Sequence, residues 1–277
     1  MNKETGFVNS GNASLYYELA GEGQALVFIH AGVADSRQWN HEFERFAQDY
    51  RVLRYDLRGF GKSNPLEGEF SHLGDLMAVL DQLGLDQPVA LIGCSMGGSL
   101  AMDFALEHPD RVKALVMVGS GPSGLRLDVP GHSKEAEAEK AYSAGELDLV
   151  AELETQIWFD GMGRTPQEVN ADMRMLAKEM NRLGLLHDSK GLGKLLPNTI
   201  TPAAERLAEL EIPVLVVVGE HDLPYSHAAA DYIVANASNA RKVILEDTAH
   251  LANLDHPERF QSAVQSFLHE INAPGRQ

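Results

Sequence analysis

The sequence predicts an α/β fold in which a mostly parallel sheet is covered by helices on both faces and interrupted by a helical insertion. Short β-branched or aliphatic runs alternate with longer helical patterns, as in crossover-connected sheets. The alternation fails once, between about Ser123 and Leu210. At 277 residues the chain has room for one large domain carrying such an insertion.

Taken in order, Ala13–Leu19 and Ala25–Ile29 flank the turn Gly21-Glu22-Gly23 and read as an antiparallel hairpin entering the sheet. Arg51–Tyr55, Val89–Ile92, Ala114–Val118, Pro213–Val218 and Arg241–Leu245 read as further strands. Between them, helices are expected at roughly Trp39–Gln48, Ser71–Leu83, Met96–His108, His227–Asn236 and Pro257–Asn272. Within the break, Ser133–Ser143, Leu147–Trp158 and Thr165–Arg182 are rich in Glu, Ala, Lys and Met, good helix formers. A structureless loop of that length would be improbable in a compact domain, so these segments read as a helical cap in the position of a lid. The expected division is 1–122 and 211–277 for the two parts of the core and 123–210 for the cap.

A formal charge of −17, from 40 acidic against 23 basic residues, disfavours unspecific attraction to nucleic acid or an anionic membrane. Cys94 is the only cysteine, which excludes an intramolecular disulfide and a multi-cysteine metal site. The segment Met1-Asn2-Lys3-Glu4-Thr5 has no apolar core, and runs such as Val214–Val218 are too short to span a bilayer. The expectation is a cytoplasmic protein with no nucleic-acid or membrane partner; self-association is compatible with the sequence.

The sharpest chemical signal is Val89-Ala90-Leu91-Ile92-Gly93-Cys94-Ser95-Met96-Gly97-Gly98, a strand running through G-x-S-x-G into a helix. Such a turn holds its serine in a strained geometry, the glycines leave room for neighbouring backbone, and the helix N-terminus points its N–H groups where negative charge would develop. A serine hydroxyl is a weak nucleophile and needs a base. Of 11 histidines, His250 follows the last strand at the carboxyl edge of the sheet, where sites in open α/β sheets are built. His256 is its nearest rival and reads as the start of the last helix. Asp222, just beyond the strand ending at Val218, is placed to orient the imidazole and stabilise its protonated form, with Glu220 and Asp247 as nearby alternatives. The order Ser, Asp, His fits a nucleophile-elbow enzyme. Gly119-Ser120-Gly121-Pro122-Ser123-Gly124 matches a dinucleotide fingerprint but opens no helix; Gly61-Lys62-Ser63 lacks the first glycine of a phosphate loop; H-E-x-x-H does not occur.

With these motifs the sequence resembles the α/β-hydrolase superfamily, and within it the lid-bearing carboxylesterases, enol-lactonases and carbon–carbon bond hydrolases. The resemblance extends to His30-Ala31-Gly32 followed by Trp39, similar to the family's His-Gly loop; to Asp56-Leu57-Arg58-Gly59-Phe60-Gly61-Lys62-Ser63, similar to its D-x-R-G-x-G-x-S turn; and to His250–Phe260. It implies an eight-stranded, mostly parallel sheet with the cap inserted after strand 6. It also implies an oxyanion hole from the N–H groups of Met96 and Gly32, with Val33 as the off-by-one alternative and His30 bracing the loop. Ala31 stands where the family usually has glycine.

The function expected is hydrolysis of a carboxylic ester of small to medium size through an acyl-enzyme on Ser95, without cofactor or metal. Lactone opening, carbon–carbon cleavage and perhydrolase-like chemistry would use the same residues, and a non-catalytic binding relative would keep the same pocket. Ser95 argues against dehalogenase or epoxide hydrolase chemistry, whose relatives carry aspartate there. Trp158, Phe159 and Met162 are the substrate-binding candidates, with Ile157, Met173 and Leu176 as further apolar residues of the cap.

Overall fold

A computed structural model describes residues 3–64, 67–191, 193–198 and 201–273; Met1 and Asn2 of the amino-terminal segment lie outside them. The chain opens with β1 (Lys3–Ser10), β2 (Ala13–Ala20) and β3 (Ala25–Ile29), then α1 (Asn40–Phe46), β4 (Arg51–Tyr55), a short β5 (Gly68–Phe70) and α2 (His72–Gln82). β6 (Val89–Cys94), α3 (Met96–Glu107) and β7 (Val112–Val118) follow, leading into α4 (Glu135–Ser143), α5 (Leu147–Thr155), α6 (Ala171–Asp188) and a short β8 (Gly193–Leu195). The chain closes with β9 (Val214–Gly219), α7 (Pro224–Asn236), β10 (Ala240–Leu245), α8 (Ala252–Asp255) and α9 (Pro257–Asn272).

Eight strands form one sheet in the order β1-β2-β4-β3-β6-β7-β9-β10. β1/β2 and β2/β4 are antiparallel and the remaining pairs parallel. The insertion therefore leaves the sheet after its sixth strand, as expected. Alternate residues of the central strands feed two cores: Val27, Ile29, Leu91 and Val216 pack with α2, α3 and α7, whereas Leu26, Phe28, Ile92 and Leu215 pack with α1 and α9. Burial on both faces explains why these strands read as continuous apolar runs.

Two expectations are corrected, one at the edge of the sheet and one in the insertion. β2 does not pair with β3; it pairs with β1 and β4, and β3 lies between β4 and β6. The hairpin is β1–β2, closed across Gly11-Asn12 with Ser10 opposite Ala13. In the insertion, β8 pairs with β5 in a separate two-stranded sheet, although no strand was expected there. The third insertion helix begins at Ala171, capped by the Asn170 side chain. Before it, Thr165 turns back on itself through its N–H and hydroxyl, which donate to Glu168 at 2.8 and 2.7 Å.

Strand order reverses between β3 and β6, so the loops leaving their carboxyl ends diverge and open a crevice. His30–Gly32 and Ser95 are the first residues of those two loops.

Candidate active site

Ser95 has φ 51 and ψ −117, a left-handed geometry that costs a serine on the order of 1–3 kcal/mol. The turn is pinned from both sides: the Ser95 N–H donates to Val118 O at 2.8 Å, and its carbonyl accepts from the Ser120 hydroxyl at 2.6 Å and from the Gly98 N–H at 3.0 Å. No side chain fits at the flanking glycines. A Cβ on Gly97 would stand 2.4 Å from Ile29 O, and one on Gly93 2.3 Å from Gly97 O.

His250 sits on the loop after β10, held where Gly219 lets the Ala249 carbonyl approach to within 2.2 Å of the place a Cβ would occupy. Its Nδ1–H donates to Asp222 Oδ1 at 2.9 Å, with Oδ2 at 3.1 Å. That bond puts the proton on Nδ1 and leaves the Nε2 lone pair free to take one. Asp222 is buried, and its Oδ1 accepts a second bond from the Leu223 N–H at 2.7 Å. Gly119, at φ +55, backs the pair: a Cβ there would stand 2.8 Å from His250 Nδ1 and 2.9 Å from Asp222 Oδ2. Of the alternative acids, Glu220 accepts the Asp247 N–H at 3.0 Å, and neither bonds the imidazole. His256 stands at the N-cap position of α9, ahead of Pro257.

The Gly32 loop lies against the nucleophile turn, since a Cβ on Gly32 would fall 3.6 Å from Met96 Sδ. Among the described residues, the N–H groups of Gly32, Val33 and Met96 find no acceptor, whereas that of Ala31 is taken by Gln38 Oε1 at 2.9 Å. His30 is fully buried; its Nδ1–H donates to Ala31 O at 2.8 Å and its Nε2 accepts the Leu57 N–H at 3.0 Å. Burial pushes its pKa down, in keeping with a neutral ring used as a brace. Asp56 shapes the neighbouring turn by accepting the N–H groups of Ser36 and Lys62 at 2.8 and 2.7 Å.

Ser95 and His250 open into one cavity of about 500 Å³. Trp158 lines it, its ring centroid 4.7 Å from that of His250. Trp158 belongs to a π turn, Gln156–Asp160, which follows α5 where the sequence suggested plain α-helix. The other two pocket candidates are placed elsewhere: Phe159 is 1% exposed and packed in the sheet core, and Met162 packs against the small apolar cluster of the insertion. Ile157 belongs to that cluster, and Met173 and Leu176 pack against the sheet core. The alternation of outward and inward positions around a π turn can present only some of these neighbours to the cavity, and Trp158 is the one so presented. The facing wall was not anticipated. It is the irregular segment 125–131, which contributes Leu125, Leu127, Val129, Pro130 and Gly131, completed by Leu223, Tyr225 and Ser226 at the start of α7. The pattern Leu-Arg-Leu-Asp-Val was the signal available for it. A larger hollow of about 660 Å³ between α1 and α9 is lined by residues such as His41, Arg45, Glu258 and Arg259, and contains none of the three candidate catalytic residues.

The sequence profile for the alpha/beta hydrolase fold matches residues 24–257, most of the chain. The protein belongs to the α/β-hydrolase family. This α/β hydrolase is 31% identical over 269 residues to a 2-hydroxy-6-oxononadienedioate/2-hydroxy-6-oxononatrienedioate hydrolase of Paraburkholderia xenovorans, covering 93% of this chain and 91% of the relative. It is 28% identical over 258 residues to a pimeloyl-[acyl-carrier protein] methyl ester esterase of Aeromonas hydrophila, covering 92% and 99%. An enol-lactonase of Burkholderia xenovorans superposes with a TM-score of 0.77 at 20% identity, over 95% of this chain and 99% of that one, and so shares the fold. Like these relatives, the α/β hydrolase is a hydrolytic enzyme by family.

Proposed function

We propose that the protein hydrolyses a carboxylic ester of small to medium size through an acyl-enzyme on Ser95. The observation that carries this reading is the His250 Nδ1–Asp222 bond of 2.9 Å, beside a cavity that the imidazole shares with the strained Ser95 turn. His250 takes the Ser95 proton as the hydroxyl attacks the carbonyl carbon, and Asp222 stabilises the imidazolium formed. The N–H groups of Met96 and Gly32 hold the oxyanion; one such donor is commonly worth about 2.7–4 kcal/mol. His250 then protonates the departing alcohol, and water repeats the sequence on the acyl-enzyme. The insertion, 123–210, serves as a lid over the acyl group, with Trp158 against the histidine. Among the described residues no helix is long and apolar enough to cross a membrane; with a lone buried cysteine, we place the enzyme in the cytoplasm, acting on a small-molecule ester or lactone.

A second reading, hydrolysis of a carbon–carbon bond, is favoured by the name of the Paraburkholderia relative. The two separate on a panel of p-nitrophenyl esters, lactones and dienone acids assayed with wild type and Ser95→Ala. The ester reading expects a burst of p-nitrophenol and a fall in kcat of at least about a thousandfold in the variant. Wild type and variant equally silent on every ester would overturn it.

A further inference from the structure

Resting on the ester-hydrolase reading, we infer that the strap 125–131 is the wall against which the acyl chain lies, and that it admits an uncharged aliphatic chain and turns away one ending in a carboxylate. Along the strap, Leu125, Leu127 and Val129 are half-buried and line the cavity, while Arg126 and Asp128 between them are exposed and do not. The inward side is therefore uniformly apolar, although the strap carries a full positive and a full negative charge on its outer side. Trp158 and Leu223 continue the apolar surface, and the Tyr225 hydroxyl donates to Leu125 O at 3.3 Å, tying the strap to α7.

At the end of this wall stands the Glu135 carboxylate, which lines the cavity and accepts the His132 N–H at 2.9 Å. The remaining polar side chains lining it, away from Ser95 and His250, are neutral: the hydroxyls of Ser99, Ser120, Tyr225 and Ser226 and the indole N–H of Trp158. A dioate with one carbonyl at Ser95 would lay its other carboxylate along Leu127 and Val129 and towards Glu135. Partly desolvating an anion against apolar groups, with a like charge nearby, is unfavourable. A neutral chain instead gains from the apolar area it covers.

The test compares kcat/KM for p-nitrophenyl hexanoate and mono-p-nitrophenyl adipate, equal in length and differing by the terminal carboxylate. In parallel, calorimetry measures binding of methyl hexanoate and monomethyl adipate to Ser95→Ala. The neutral compound should be preferred in both measurements, by about a hundredfold in turnover. Leu127→Arg, which puts a cation on the inner side of the strap, should close or invert the gap. Glu135→Gln, at an exposed position where folding is not at stake, should narrow it about threefold. An adipate ester turned over or bound as well as its neutral counterpart, or a gap indifferent to both substitutions, would overturn the assignment. If no ester is cleaved but the neutral ligand still binds better, the wall assignment stands and the ester-hydrolase reading falls; ester turnover without the preference has the opposite meaning.

Discussion

Glu42, wholly buried in α1, joins the loops that flank the site. Its carboxylate accepts from Asn253 Nδ2 at 3.0 Å and Gln261 Nε2 at 3.2 Å; Gln38 Nε2 donates to Asn253 Oδ1 at 3.0 Å, and Gln38 Oε1 takes the Ala31 N–H. One polar chain thus links the loop after β3 to α8, just past His250. Desolvation pushes the Glu42 pKa up from 4.5 to about 7, against the hydrogen bonds from Asn253 and Gln261. The protonated carboxyl is the form the fold prefers, so its favourable contribution is complete below pH 4.5 and is lost as pH rises through about 7. The loss is on the order of 3 kcal/mol. Glu42→Gln, whose carboxamide can donate to Gln261 once that group turns over, should abolish this part of the fall in stability between pH 5 and 7. Thermal unfolding of both proteins across that range checks it; parallel curves would contradict the assignment. None of these partners was legible in the sequence, because Glu42, Asn253 and Gln261 meet only through the fold. Ser95, His250 and Asp222, by contrast, were legible as candidates because each follows a recognisable strand.

At the scale of elements, the Arg164 guanidinium helps to fasten the insertion beside His250. Arg164 donates to Asp160 O, Phe159 O and Asp247 O at 2.8, 2.9 and 2.7 Å, and pairs with Asp255 Oδ2 at 2.7 Å. Asp255 Oδ2 also accepts the Ala249 N–H at 3.3 Å, next to the candidate base. Burial already pushes the Asp255 pKa up despite this partner. Arg164→Met strands the carboxylate and should cost roughly 3 kcal/mol. Protonation relieves a stranded acid, so the destabilisation read from denaturant midpoints should be larger at pH 8 than at pH 5; an equal loss at both would disprove the clamp. Sequence reasoning found the core strands because both their faces are buried, and found the insertion because its helices carry strong propensity. It missed β1, of whose eight residues only Val8 is buried, so no alternating pattern marked the strand. It then gave β2 the wrong partner, since proximity along the chain suggested β3 and only the sheet order reveals β4. The 125–131 segment escaped as well, its parity masked by flanking Gly and Pro.

The molecule as a whole separates a rigid sheet, which carries Ser95, Asp222 and His250 at its carboxyl edge, from a pocket wall hung outside it. Cys94 reports on the rigid part. It is fully buried at the end of β6, and desolvation pushes its thiol up to about 12, far from the thiolate that reacts. A thiol reagent should label it only as fast as the sheet opens globally, so labelling and unfolding should share one dependence on denaturant; rapid modification in native buffer would show a looser core than the structure has. The wall is built on different terms. Because inward and outward residues alternate singly from Leu125 to Val129, the chemistry of that stretch depends on counting and not on composition. Removing or adding one residue just ahead of Leu125 would swing Arg126 and Asp128 inward and the leucines out, turning a greasy lining into an ionic one while the strands, the nucleophile turn and the histidine loop kept their places. A single-codon length change would thus suffice to re-aim the enzyme at another kind of substrate.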